Sequence, residues 1–85
     1  METIRRGDRT KNGAIVIDMK RDYLGWVVLC LWVEDTQNPE TGVRVRTFDP
    51  YVTWLARIVD GEIVCEAGHY YEMLQDAVLD FDSRI

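Results

Sequence analysis

Histidine is almost missing from this chain of 85 residues, occurring only as His69, and cysteine occurs only at positions 30 and 65. Such scarcity leaves no closely spaced Cys/His pairs of the kind that mark zinc sites, and no serine or cysteine stands in a recognisable nucleophile motif. A glycine-rich phosphate loop is absent as well. The longest hydrophobic run, Trp26 to Val33, is too short to cross a bilayer, and Met1 to Gly13 has no apolar leader core. We therefore expect a non-enzymatic, soluble, cytoplasmic protein with no cofactor, no metal and no membrane partner. Cys65 and His69, four apart on one strand, share a face with Cys30 within reach, but core thiols and a hydrogen-bonded histidine explain the same residues.

Negative charge dominates where positive charge is scarce. The formal net charge is -5, and residues 22 to 85 carry four basic groups against twelve acidic ones. An acidic body repels nucleic acid over most of its surface, so a basic protein is the more natural partner. The first 21 residues reverse the balance, with six basic groups against three acidic.

The run Trp26-Val27-Val28-Leu29-Cys30-Leu31-Trp32-Val33 reads as a central strand, because it is β-branched and aromatic and is bounded by charge at both ends. Alternation puts Trp26, Val28, Cys30 and Trp32 on one face and Val27, Leu29, Leu31 and Val33 on the other. Both faces are apolar and both need cover. An amphipathic helix supplies one. Barrel curvature or a second subunit would supply the other, and we expect a homodimer.

The remaining elements follow in order. Residues 1–12 (METIRRGDRTKN) have no apolar period and read as a loose basic arm. Asn12-Gly13 turns the chain into a strand over Ala14 to Met19, with Ile15, Ile17 and Met19 on one face and Ala14, Val16 and Asp18 on the other. Lys20 to Gly25 closes a hairpin with the central strand. Glu34 to Gly42 collects turn residues and reads as a loop, followed by a half-exposed strand over Val43 to Phe48 with Arg44 and Arg46 facing solvent. Tyr51 to Val59, Asp60-Gly61 and Glu62 to Tyr70 form the clearest hairpin: a type I′ turn sets Val59 opposite Glu62, Ile58 opposite Ile63, Ala56 opposite Cys65 and Trp54 opposite Ala67. Gly68 then falls opposite Thr53, where a strand glycine suggests a bulge.

From Tyr71 the period changes, and Tyr71, Leu74, Val78, Phe81 and Ile85, with Ala77, form one stripe of a C-terminal helix. The expected fold is α+β: an antiparallel sheet of four to five strands over 14–70, twisted or partly barrel-like, with a helix over 71–85 packed on it. Against the apolar stripe, Glu72, Asp76 and Asp80 recur every four residues, with Asp82 beside them. Like charges at that spacing each cost about 0.2–0.5 kcal/mol. Solubility explains such a ridge; so does docking to a basic partner.

Tyr51-Val52-Thr53-Trp54, Gly68-His69-Tyr70-Tyr71 and the segment from Ala77 to Phe81 with Arg84 resemble the ending of small accessory proteins encoded by bacteriophages. The resemblance covers little more than the last third of the chain. It implies a single-domain product that binds and alters a host protein, sometimes a defence component, as anti-CRISPR proteins do. The expected function is accordingly a protein-binding inhibitor or modulator of a basic host protein through Glu72, Asp76, Asp80 and Asp82. The alternative is an oligomeric small-molecule or nucleotide binder, a ligand sponge in which Arg5, Arg6 and Arg9 close over aromatics of another subunit.

Overall fold

The computed structural model describes residues 3–22, 24–32, 35–37, 44–46 and 49–84, with backbone alone at 35–37 and 44–46. The strands are β1 (Ile15–Arg21), β2 (Trp26–Leu31), β3 (Asp35–Gln37), β4 (Arg44–Arg46), β5 (Tyr51–Val59) and β6 (Glu62–Tyr71), followed by α1 (Leu74–Ser83). A four-stranded sheet in the order β1-β2-β5-β6 is antiparallel throughout and does not close; β3 and β4 make a separate two-stranded ribbon. The fold is the expected α+β arrangement of a C-terminal helix on an antiparallel sheet.

Segment 34–42 was expected to be a loop, and 43–48 a third strand of the sheet. Instead Asp35–Gln37 pairs with Arg44–Arg46 in the ribbon, and β5 takes the place beside β2. Apolar pairing explains the exchange: β5 offers Val52, Trp54 and Ala56 to the arm-side face of β2, whereas the Val-Arg alternation of β4 has one apolar side only. The expected outward direction of Arg44 and Arg46, and residues 38–43, lie outside the described residues.

The two faces of β2 divide as alternation requires. Trp26, Val28 and Cys30 join one core with Val52, Trp54, Ala56 and Ile63, and Trp32 packs at its margin. Val27 and Leu29 join a second core with Ala77 and Phe81 of α1. In β1 a bulge between Val16 and Asp18 shifts the register, which overturns the simple alternation expected there. Val16 and Met19 go to the first core, and Ile17 packs under the helix. One extra residue serves both cores from one strand.

Cover for the first face comes from the segment expected to be a loose arm. Ile4 of that arm is fully buried in that core, together with Ala14, which was expected to open the first strand. Gly7 N–H donates to Val16 O (2.8 Å), Val16 N–H donates to Asp8 O (2.9 Å), and Lys11 N–H donates to Ile63 O (2.8 Å). Thus Arg9 bridges β1 at one edge of the sheet and Thr10 bridges β6 at the other. Thr10, itself buried, accepts from Ala14 N–H (3.0 Å) and hydrogen-bonds Asn12, tightening the turn at the crossing. The arm's polar backbone is satisfied by sheet edges, which is how a segment with only Ile4 and Ala14 as anchors stays down.

The β5–β6 hairpin turns on Asp60 and Gly61, both at positive φ (51° and 78°), as a two-residue type I′ turn demands. The expected register holds from Val59/Glu62 to Leu55/Glu66 and then breaks, because Ala67 takes φ 54° and bulges out. Thr53 consequently faces His69, not Gly68, and Trp54 does not pair with Ala67. The extra residue also carries β6 on to Tyr71 opposite Tyr51, so the helix starts at Leu74, three residues later than its periodicity suggests.

Gly68 sits beneath an aromatic cluster in which Trp32 and Trp54 lie 5.4 Å apart between centroids and Tyr70 stands 6.2 Å from each. A Cβ on Gly68 would come within 2.5 Å of Trp54 Nε1, and Trp54 is too buried to retreat. Two stability predictions follow, both read by urea unfolding with tryptophan fluorescence. Ile4→Ala costs about 2–5 kcal/mol if the arm is a true cover; a loss under about 0.5 kcal/mol would make it a solvated tail. Gly68→Ala costs about 1–3 kcal/mol by overpacking, whereas Ala67→Gly, which relieves a left-handed alanine, leaves stability equal or raises it by up to about 1 kcal/mol. The opposite order at 67 and 68 would refute the bulge.

Candidate functional site

The bulge at Ala67 builds a polar cluster under α1. By placing His69 directly across from Thr53 on the helix side of the sheet, it brings both beneath Asp80. Thr53 Oγ1 donates to Asp80 Oδ2, and His69 Nδ1 lies 3.0 Å from the same oxygen. A carboxylate only accepts, so Nδ1 of this half-exposed ring carries a proton towards Asp80. The Tyr71 hydroxyl lies close enough to the same carboxylate to influence its ionisation. Arg84 closes the cluster, with one guanidinium nitrogen on Thr53 O and Oγ1 (3.0 Å each) and the other on Ala67 O (2.8 Å) at the bulge itself.

Electrostatics follow from this packing. Partial burial works against ionisation of Asp80, but the hydrogen bonds from Thr53 and His69, together with the nearby Tyr71 hydroxyl, outweigh it and hold the carboxyl below its ordinary value. Burial first, and then the Asp80 charge, pushes the Tyr71 phenol up. The far end of α1 is steadied from β1: Lys20 lies 5.0 Å from the Phe81 ring centroid and donates to Asp82 O (3.3 Å), placing a cation at the negative end of the helix. Together these contacts clamp the helix to the sheet.

Asp80 was expected on an exposed acidic ridge, and that placement is wrong. Its side chain is 19% exposed and faces the sheet, while Glu72, Asp76 and Asp82 are exposed. The apolar stripe is displaced as well. Ala77 and Phe81 are buried, but Leu74 (41%), Val78 (37%) and Leu79 (67%) stand open to solvent, as does Met73 (52%). The physical reason is the late start of the helix and the polar anchor: satisfying Asp80 turns its side of α1 inward, and Leu74 and Val78 turn away.

An open groove of about 720 Å³ therefore runs along the outside of α1, with Tyr51, Met73, Leu74, Val78 and Leu79 as its apolar lining and Glu72 and Asp76 on it as well. Three of the four acidic residues singled out by sequence remain on this outer side; the fourth is the clamp. Leu79, the most exposed of the helical leucines, belongs to no stripe and carried no signal in the sequence.

The arginines of the alternative reading do not converge. Arg6 pairs with Asp18 (3.2 Å), and Arg9 donates to Gly13 O (3.3 Å) beside a small cavity of about 130 Å³. Arg5 is held through its backbone N–H by Asp8 (2.8 Å). Nor do Cys65 and His69 share a face: the bulge between them sends Cys65 to the arm-side core and His69 under the helix. Burial, with Cys65 nearby, pushes the Cys30 thiol far up, and burial pushes Cys65 up to about 12, so both are thiols and not thiolates. Among the described residues no group of three metal-ligating side chains occurs.

An Asp–His pair can orient a general base, but the hydroxyl nearest to it is unsuited to attack. Thr53 is fully buried and already donates to Asp80. The cluster positions a helix. The outer face of that helix carries a run of exposed apolar side chains. The chain matches no protein-family model, no curated protein and no solved structure.

Asp80 gives a test with a defined sign. Its folded-state value lies below the unfolded one, so its stabilisation is complete above about pH 4 and is lost as pH falls through the folded value. Asp80→Asn is expected to cost roughly 1–3 kcal/mol at neutral pH, with the gap to the parent closing towards pH 2. A gap that stays constant across that range would show that the charge does not hold the helix.

Proposed function

We propose that the chain is a non-enzymatic protein-binding module whose docking surface is the outer face of α1, and that its target is a basic protein. One observation carries this reading: the helix turns Met73, Leu74, Val78 and Leu79 outward, and Glu72 and Asp76 border them. Large apolar side chains at the centre of a patch with charge at its margin are the usual make-up of an interface, the apolar part supplying affinity and the charge supplying steering. The acids reject nucleic acid and acidic proteins. A basic partner is favoured twice, by the local rim and by the net charge of -5.

The resemblance to phage accessory proteins supports a host protein as the target and inhibition or modulation as the outcome. A homodimer was expected because β2 needed a second cover. The arm covers that face; among the described residues Leu24, Val59 and Tyr70 are exposed singly on the sheet and its turns, whereas Met73, Leu74, Val78 and Leu79 are exposed together along α1.

Immobilised protein should retain from bacterial lysate a basic protein that is released by salt and lost, by about tenfold or more, on Leu79→Ser or on Glu72→Lys combined with Asp76→Lys. These side chains are exposed, so unfolding transitions should stay in place. Equal retention by parent and variants would overturn the reading.

A further inference from the structure

Three features besides the clamp invite a partner, and two of them close on inspection. The aromatic cluster of Trp32, Trp54 and Tyr70 has centroids 5.4 to 6.2 Å apart, so the rings fill the space between themselves and leave no cage for a cation. The outer edge of β6 is a template for strand addition in principle. Yet Ile63 O is taken by Lys11 N–H, Ala67 O is taken by Arg84, and Ala67 bulges between. The edge of β1 is likewise occupied at Val16 by Gly7 and Asp8. The third feature is the groove outside α1.

We infer that the occupant of this groove is a basic amphipathic α-helix, which deepens the protein-binding reading above and rests on it. The groove runs along a helix of ten residues, about 15 Å in length. Within α1 the backbone is paired internally: Ala77 N–H reaches Met73 O, Arg84 N–H reaches Asp80 O, and the Ser83 hydroxyl donates to Leu79 O. Only the first-turn N–H groups of Leu74, Gln75 and Asp76 lack a helical acceptor, so beyond that turn the surface offers a partner apolar contact, the Gln75 amide and carboxylates. A segment that runs past the first turn must bring its own backbone hydrogen bonds already made, and a helix is the short element that does so. A strand or an extended peptide would bury unpaired N–H and C=O groups at about 1–3 kcal/mol each.

Spacing and charge agree with that form. Leu74 and Val78 make one ridge at an interval of four, and Leu79 continues the patch one residue on, the spacing into which the side-chain ridge of a second helix fits. Asp76 stands two residues from both Leu74 and Val78 and so lies across the groove from that ridge, with Glu72 and Leu79 on its side; the partner therefore needs Lys or Arg on the flank of its apolar stripe that meets Leu79. A second copy is disfavoured by the same acids. Two such faces laid together would oppose Glu72 and Asp76 to their own duplicates.

Three synthetic peptides of about 14 residues, roughly 21 Å as helix, test this with the whole chain. One has leucine at three-four spacing with lysine beside it; the second has glutamate for lysine; the third is the lysine peptide with a central proline. Binding is followed by fluorescence anisotropy, and self-association by sedimentation. The lysine helix should bind, the other two should bind at least about tenfold more weakly, and Leu79→Ser should weaken the lysine helix by a similar factor. Equal binding of the proline peptide, or no effect of Leu79→Ser, would overturn the helix assignment. So would concentration-dependent dimers that Leu79→Ser dissolves, which would name a second copy as occupant. If no peptide binds while lysate capture still depends on the α1 face, the helical form is wrong and the protein-binding reading stands. If capture ignores that face, the reading itself has failed.

Discussion

A strand with two apolar faces imposes the constraint to which the rest of this molecule responds. Trp26 to Leu31 cannot sit at the surface of a two-layer domain, because each face would leave several large side chains in water. β1 and β5 flank the strand, α1 covers one side, and the N-terminal segment crosses the other. That crossing is made with few apolar residues. Ile4 and Ala14 enter the core, while backbone hydrogen bonds to Val16 and Ile63 fasten the segment to both sheet edges. One piece of chain thus covers a face and blunts two edges.

Two β-bulges do the fine adjustment. In β1 the irregularity at Ile17 splits the strand between the two cores. In β6 the left-handed Ala67 moves His69 across from Thr53 and lengthens the strand to Tyr71, and the helix then begins late and is rotated by its anchor. Asp80 is that anchor. A carboxylate that accepts from Thr53 and His69 is costly to turn out to solvent, so the helix presents Asp80, Ala77 and Phe81 to the sheet and leaves Leu74, Val78 and Leu79 outside. The candidate docking face is the by-product of a polar clamp on the opposite side.

Much of the architecture was legible in the sequence, for reasons that can be named. The central strand announced itself by eight apolar residues between charges, and the last hairpin by Asp60-Gly61, whose positive φ values few other pairs supply. The type I′ register was readable for the first five pairs because nothing intervenes between turn and bulge. The arm was not legible as a cover, since its hold is through backbone groups that every residue carries. The ribbon of β3 and β4 hid among residues that suit turns equally well.

Sequence alone determined the sheet's central strand, the hairpin turn, the presence of a C-terminal helix and the acidic character of its exposed side, because each depends on local pattern or composition. Only the tertiary structure decided which acid is buried, which leucines are exposed and where the second cover comes from. Those outcomes depend on a one-residue bulge in β6 and on pairings between segments far apart in the chain. A shift of one residue in a strand exchanges the two faces of everything beyond it, and periodicity carries no trace of the shift until Thr53, His69 and Asp80 are brought together.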